Sequence, residues 1–489
     1  MKTFDEYLKE VGEVGYIKSV VHSIVYVSGL PSLRLKEMIV AAGGQRGVVQ
    51  SLLPDLAEVL MLDTHDLAND LAVARTNETF KIGVSESILG RIVNPFGLPI
   101  DGRGPVIGEK TMQPIDAVAP PIIQRQKVNK PLESGVTIVD LLVPIGYGQR
   151  ELVIGDKKTG KSTFLLQAIA TQARLGVTCV YVSIGKRQSD VKNIENYLAK
   201  AGVAKNCCLV VANSADPATM VYLAPFSGLA VAEFFRDSGR DVLIVFDDLS
   251  NHAKFYREIS LLSKRVPGRA SYPGDIFHLH AALLERAGNV KLDQERTVSI
   301  TALPVAETLE GDLTGYIQTN LMAITDGHIF FDIEEFRKGQ RPAINYALSV
   351  SRVGNQTKET IDRELAQALR EALAKYKKDL EIARFGVELP ESTRREMDLG
   401  EKIELIFNQD SDTLVPRDLQ MVLFGLLFSG FWDQKNASMM KVDLIKLIEK
   451  YEKGAFRDVT EQVLQAKKLK DLISITKNQA TKLNQSLYA

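Results

Sequence analysis

Gly155-Asp156-Lys157-Lys158-Thr159-Gly160-Lys161-Ser162 decides the fold of this chain. A glycine, four residues, a second glycine, then lysine and a hydroxyl is the pattern that cradles phosphate. Its flanks agree. Glu151-Leu152-Val153-Ile154 reads as a short buried strand, and Thr163 to Ala170 as the first turns of a helix. A glycine loop between strand and helix aims backbone N–H groups and a positive helix end at an anion. Gly155 through Ser162 are therefore the expected cradle for phosphate, with Lys161 reaching the outer phosphates and Ser162 holding Mg2+.

The surrounding chain supports a multidomain α/β protein. Apolar runs at Leu152–Ile154, Thr178–Ile184, Val242–Phe246 and Val298–Thr301 alternate with helical stretches such as Asp190 to Ala201. That alternation predicts a parallel sheet wrapped by helices over residues 81–358, the central nucleotide-binding domain. Residues 10–80 read as short strands punctuated by glycines, as in a small β-barrel or a sandwich. Residues 359–489 read as helical, with Leu365, Leu369, Leu373, Tyr376 and Leu380 recurring at helical spacing.

Composition narrows the class. The 489 residues are 45% hydrophobic and 25% charged, ordinary for a globular protein, and the length suggests about three domains. A formal net charge of −1 supplies no basic field to hold nucleic acid. Cys179, Cys207 and Cys208 are too few and too irregularly spaced for a disulfide framework or a zinc site, and read as buried thiols. The start, MKTFDEYLKE, has no apolar core and does not read as a signal peptide. Met421 to Phe428 is the longest apolar stretch and is too short to span a bilayer, so membrane contact is expected only through partners.

A nucleotide site also needs a carboxylate to orient the waters of the metal. Val242–Phe246 runs straight into Asp247-Asp248, and Asp247 is the expected magnesium-linked residue. Asp248 is expected to support it by hydrogen bonding, with capping of the following helix as the lesser reading. Hydrolysis further needs a group to position or deprotonate water. The strand Cys179–Ile184 ends in Gly185-Lys186-Arg187-Gln188, where the candidate position holds a lysine. An ammonium has three donors and no acceptor. Lys186 either stabilises phosphate charge or is a solvated surface residue; in both cases the base is missing. Finally, Arg352 in Ser349-Val350-Ser351-Arg352-Val353-Gly354 follows an apolar strand. Spacing alone leaves two roles open, a structural ion pair or projection into the site of a neighbouring subunit.

Taken in order, these motifs resemble the alpha subunits of F-type ATP synthases. The likeness runs through Pro144–Leu152, Gly155–Ser162, Asp247–Ser250, Pro267–Asp275, Leu283–Ala287, Thr301–Pro304, Ile324–Gly327 and Arg341–Gly354. It implies an N-terminal β-barrel, a central P-loop (RecA-like) domain and a C-terminal α-helical domain. It implies a ring of three alpha and three beta subunits around a gamma central stalk, braced by a delta/b peripheral stalk, on the cytoplasmic face of a bacterial cell membrane. Alpha binds magnesium-ATP without catalysing, while beta performs the chemistry of ATP synthesis coupled to proton or sodium-ion flow. The resemblance assigns Arg352 to the catalytic site of the adjoining beta subunit, in trans, with Ser349 and Ser351 beside it in the signature. It places Arg341 and Pro342 beside the adenine pocket, and Asn408 and Gln409 where adenine-contacting glutamines stand.

The departures are specific. Lys186 stands where alpha subunits usually carry glutamine and beta subunits glutamate, and Lys158 replaces a usual glutamine; both add positive charge expected near the phosphates. The barrel begins after about a dozen residues, where many alpha subunits carry an additional helix that docks the peripheral stalk, so the mode of stator attachment stays open. A divergent rotary ATPase serving as an ion pump or motility motor is the alternative. An autonomous ring translocase is a further one, which would need a catalytic glutamate after the second strand and a basic or aromatic binding face; the sequence shows neither.

Overall fold

Alternating apolar residues in six short strands close the N-terminal segment into a barrel. In the computed structural model, which describes residues 2–293, 296–383 and 390–488, the strands run Val14–Val21, Ile24–Ser28, Ala57–Met61, Arg46–Leu52, Glu37–Ala41 and Ala72–Thr79 around the ring. Every pairing is antiparallel. The last strand returns to the first, so the sheet is a barrel and not a sandwich. Ile17, Val25, Ile39, Val49, Val59 and Val73 fill its interior. Gly47 admits two of its neighbours: a Cβ there would stand 2.5 Å from Val59 Cγ1 and 2.6 Å from Met61 Sδ.

A helix precedes the barrel that the sequence reading did not anticipate. Phe4–Val11 starts from a reciprocal cap between Thr3 and Glu6. Thr3 N donates to Glu6 Oε2 at 2.6 Å, and Glu6 N to Thr3 Oγ1 at 3.4 Å. The Thr-x-x-Glu spacing was the available signal.

The chain divides into two compact units, and these cut it differently from the boundaries at 80/81 and 358/359. The first comprises Met1–Gln126, Gly176–Glu307 and Asp312–Thr325; the second comprises Lys127–Leu175, Thr308–Gly311 and Asp326–Ala489. Besides the barrel, the first unit holds the parallel strands Ile92–Val93, Cys207–Asn213, Thr178–Lys186, Val242–Asp247 and Thr297–Glu307, with Gly288–Lys291 antiparallel against the last. The helix Ala218–Asp237 is long and apolar enough, by length and composition, to cross a membrane. Yet 83% of its apolar window is buried inside the protein, so it serves here as a core helix. The three cysteines are buried free thiols.

The second unit pairs Glu151–Gly155 in parallel with Gly327–Phe331, and the latter antiparallel with Val350–Ser351. Helices Thr360–Ala383, Glu391–Phe407, Arg417–Phe428, Ala437–Glu452, Arg457–Leu464 and Leu469–Tyr488 complete it. Leu365, Leu369, Leu373 and Tyr376 are buried as their spacing predicts, whereas Leu380 is only partly so. The apolar run at 421–428 is the inner part of a buried helix. The chain thus has an N-terminal barrel, a central parallel-sheet domain and a C-terminal helical domain.

Candidate nucleotide-binding site

The phosphate loop takes the shape its glycines permit. Gly155 ends its strand at φ +156°, opposite Phe331, where a Cβ would stand 2.2 Å from the Phe331 carbonyl oxygen. Gly160 sits at φ +103° immediately before the helix Lys161–Arg174, a conformation that L side chains rarely adopt. Thr159 is buried, and its Oγ1 donates to the Asp156 carbonyl at 2.8 Å, tightening the loop. Lys161 Nζ donates to the carbonyls of Gly155 (2.7 Å) and Asp156 (2.6 Å), so the ammonium lies within the loop. Ser162 is exposed in the first helical turn, and Lys157 and Lys158 are exposed at the tip.

The side chain of Asp156 is committed within the second unit. Its carboxylate accepts from Thr308 Oγ1 at 2.5 Å and from Gly311 N at 3.0 Å, so its side chain pins the 308–311 segment to the loop. Only its backbone remains part of the cradle.

The other expected nucleotide-binding residues of this unit are brought together. The chain leaving Phe331 folds back: Asp332 N donates to Ala343 O at 2.8 Å, and Asn345 N to Phe330 O at 2.9 Å. This sets Arg341 and Pro342 near the end of the strand that pairs with the phosphate-loop strand. The guanidinium of Arg341 lies 3.7 Å from the ring centroid of Phe336 and donates to the carbonyls of Phe336 and Gln340, each at 2.8 Å. Arg341 N donates to Asn408 Oδ1 at 3.2 Å, and Gln409 N to Arg341 O at 2.6 Å. Asn408 is exposed. Gln409 is not available as a base contact. It is buried, Oε1 accepts from Thr137 N (3.1 Å) and Thr137 Oγ1 (3.2 Å), and Nε2 donates to Gly135 O and Thr413 O at 2.7 Å each. Both donors and both lone pairs are engaged.

In the first unit, Lys186 is neither solvated nor a free cation. Its Nζ lies 2.6 Å from Asp247 Oδ1 and 3.8 Å from Asp248 Oδ2, with 19% of its side chain exposed. Tyr181 OH donates to Asp247 Oδ2 at 2.5 Å. Burial works against the Lys186 ammonium, but Asp247 and Asp248 outweigh it and hold its pKa above the ordinary lysine value. The added positive charge is therefore neutralised within the protein, contrary to the expectation of a free cation near phosphate. Asp248 takes the capping role: it begins the helix Leu249–Leu262 and accepts from Asn251 N at 2.6 Å. Burial raises its pKa, and Lys186 opposes the shift. Lys186→Gln should then cost about 1–3 kcal/mol, because a charged donor to a buried carboxylate is lost. Urea unfolding measures it, and a loss of a few tenths would show that Lys186 does not compensate the two aspartates.

Arg352 follows the edge strand Val350–Ser351 and is exposed. Among the described residues it makes no ion pair, so the structural salt-bridge reading does not hold. Ser349 and Ser351 do not present free hydroxyls. Ser349 Oγ donates to Asn345 O (2.7 Å) and accepts from Phe330 N (2.9 Å). Ser351 Oγ is buried and donates to Pro144 O at 2.5 Å. They fix the segment that carries Arg352 instead of facing a reacting group. Tyr181 was missed as a partner of Asp247, and nothing in the sequence marked it.

A strand, a two-glycine loop with its lysine, and a helix within an α/β domain define a P-loop nucleotide-binding protein. Residues 135–351 match the ATP synthase alpha/beta family, nucleotide-binding domain, and residues 356–484 match the ATP synthase alpha/beta chain, C terminal domain. The ATP synthase subunit alpha of Neorickettsia sennetsu is 37% identical over 491 residues, covering 97% of this chain and 94% of that one. ATP synthase subunit alpha 2 of Hahella chejuensis is 39% identical, covering 94% and 91%. The subunit alpha of Histophilus somni is 40% identical, covering 88% and 85%. The chain belongs to the ATP synthase alpha/beta family, among the alpha subunits.

Proposed function

We propose that this chain binds magnesium-ATP or -ADP at a site of its own that performs no hydrolysis, and donates Arg352 to the catalytic site of an adjoining beta subunit. The complex is then a three-plus-three ring with a gamma central stalk and a delta/b peripheral stalk, on the cytoplasmic face of a bacterial membrane, making ATP from ion flow. Its relatives' shared name, ATP synthase subunit alpha, supports that setting.

The observation that carries the non-catalytic reading is the Lys186–Asp247 pair, 2.6 Å apart. At the end of the strand where a water-activating carboxylate would stand, this chain has a cation, and that cation is already bound to a neighbouring aspartate. It has no acceptor for a proton of water.

The residues present fit magnesium unequally. The exposed Ser162 hydroxyl in the first turn after the loop suits a direct ligand. In the first unit, Asp247 keeps one lone pair on each oxygen beyond the Lys186 and Tyr181 bonds, and its charge is offset by Lys186. Bound magnesium would neutralise phosphate charge and orient the phosphate oxygens. Lys161 would turn from the loop carbonyls toward phosphate, while the backbone of Gly155 to Gly160 supplies N–H donors. Asn408, Arg341 and Pro342 would flank the base, with Gln409 holding their segment from behind.

The isolated chain should bind magnesium-ATP in an equilibrium titration and release almost no phosphate from it. Appreciable turnover by the purified chain alone would contradict the proposal.

A further inference from the structure

We infer that Glu151 is a positioning residue for Arg352, acting through Gln149 and Ser351; the inference rests on the arginine donation proposed above. Glu151, Gly327 and Ser351 lie in one row across three strands. Glu151 pairs with Gly327 in the parallel ladder, and Gly327 with Ser351 in the antiparallel one. Arg352 is the next residue. Gly327 opens the gap that makes the row work: a Cβ there would stand 2.7 and 2.9 Å from the two Glu151 carboxylate oxygens, and 2.1 Å from the Val350 carbonyl oxygen. With no side chain at that position, the Glu151 carboxyl lies against the row beneath the edge strand.

Gln149 completes the relay. Its Nε2 donates to Glu151 Oε2 at 2.6 Å and to Ser351 Oγ at 3.3 Å, while its Oε1 accepts from Gly146 N at 2.8 Å. Ser351 Oγ donates a hydrogen bond to Pro144 O. Glu151 and Gln149 are fully buried and Ser351 is 5% exposed, so these bonds do not compete with solvent.

A structural tie alone does not need this carboxyl. Its Oε1 is buried and has no hydrogen-bond partner among the described residues. An unpaired buried oxygen is unfavourable, and an apolar side chain of similar volume would avoid that cost. Burial pushes its pKa well up, the Gln149 amide pulls it down, Asp326 raises it again, and the Arg352 guanidinium lowers it. Through Gln149 and Ser351, the Glu151 carboxyl holds the backbone from which Arg352 projects.

Steady-state ATP hydrolysis by the assembled complex tests this as a cycle. Arg352→Ala sets the reference loss. Glu151→Leu should lower kcat about tenfold and leave KM within about twofold, the pattern of a missing transition-state contact. Glu151→Gln, which keeps a carbonyl for Gln149, should recover to within about threefold of the unaltered complex. The double variant Glu151→Leu with Arg352→Ala should be no slower than Arg352→Ala, since residues acting through one group are not additive. If Glu151→Leu fails to assemble, Ser351→Ala runs the same cycle from the other end of the relay. An unaltered kcat in Glu151→Leu beside a slow Arg352→Ala, or losses that multiply, overturns the inference. An unaltered kcat in Arg352→Ala overturns the arginine donation instead.

Discussion

Replacing Arg352 by alanine in the assembled ring is expected to lower turnover by roughly a thousandfold or more while nucleotide still binds. The expectation starts from placement. Arg352 follows an edge strand, is exposed, and makes no ion pair among the described residues, whereas its neighbours Ser349 and Ser351 are tied to main-chain groups. A rigid segment ending in an uncommitted guanidinium suits a residue whose partner lies on another chain. A phosphoryl group in transfer carries charge over three oxygens, and a donated arginine meets that charge only in the transition state. The loss should therefore fall on kcat, with KM nearly unchanged. Arg352→Lys should recover only a small part, because an ammonium cannot offer the planar two-pronged donor of a guanidinium. Rates of ATP hydrolysis by purified complexes, with nucleotide occupancy measured in parallel, decide it. A turnover equal to that of the unaltered ring removes Arg352 from the mechanism.

The phosphate loop was legible because its function is carried by backbone conformation. Two glycines were required, one pressed against Phe331 O and one left-handed before a helix, and glycine is visible in a sequence. The alternating strands of the barrel were equally visible, but its closure depends on the last strand pairing with the first, which no local pattern encodes. Side-chain commitments were the least legible. Lys186 reads as a free cation until Tyr181 and Asp247 appear beside it on paired strands, where Ser183 lies opposite Asp247. Gln409 has the right chemistry for a base contact, yet its amide points into the 135–137 segment and is fully bonded. Asp248, read first as a support for Asp247, instead caps the helix that follows it. Sequence reports residue type and period, whereas these assignments depend on which way a side chain turns after packing.

Arg286→Met should destabilise the first unit by about 3–5 kcal/mol, through the charge it strands and not the bonds it removes. Arg286 lies in the Leu283–Ala287 motif and is 3% exposed. Its Nε and Nη2 meet the two carboxylate oxygens of Glu233 at 3.0 and 2.6 Å, and its Nη1 donates to Ile115 O at 2.6 Å. Glu233 sits on the buried helix Ala218–Asp237 and is 4% exposed. Among the described residues, the other cation paired with it is Arg236, whose Nη1 is 3.8 Å away, within ion-pair but beyond hydrogen-bonding range. Methionine fills most of the vacated volume, so cavity cost is small, and the buried carboxylate left with only the long Arg236 pair dominates. A domain is stable by only about 5–15 kcal/mol, so the loss is a large fraction of the whole. Adding Glu233→Leu should reverse most of it, because replacing both partners of a buried pair by apolar residues is often neutral or favourable. Urea unfolding of the two variants separates the terms. A single variant within about 1 kcal/mol of the parent, or a double variant less stable than the single, means that the pair contributes through packing and hydrogen bonding rather than through charge compensation.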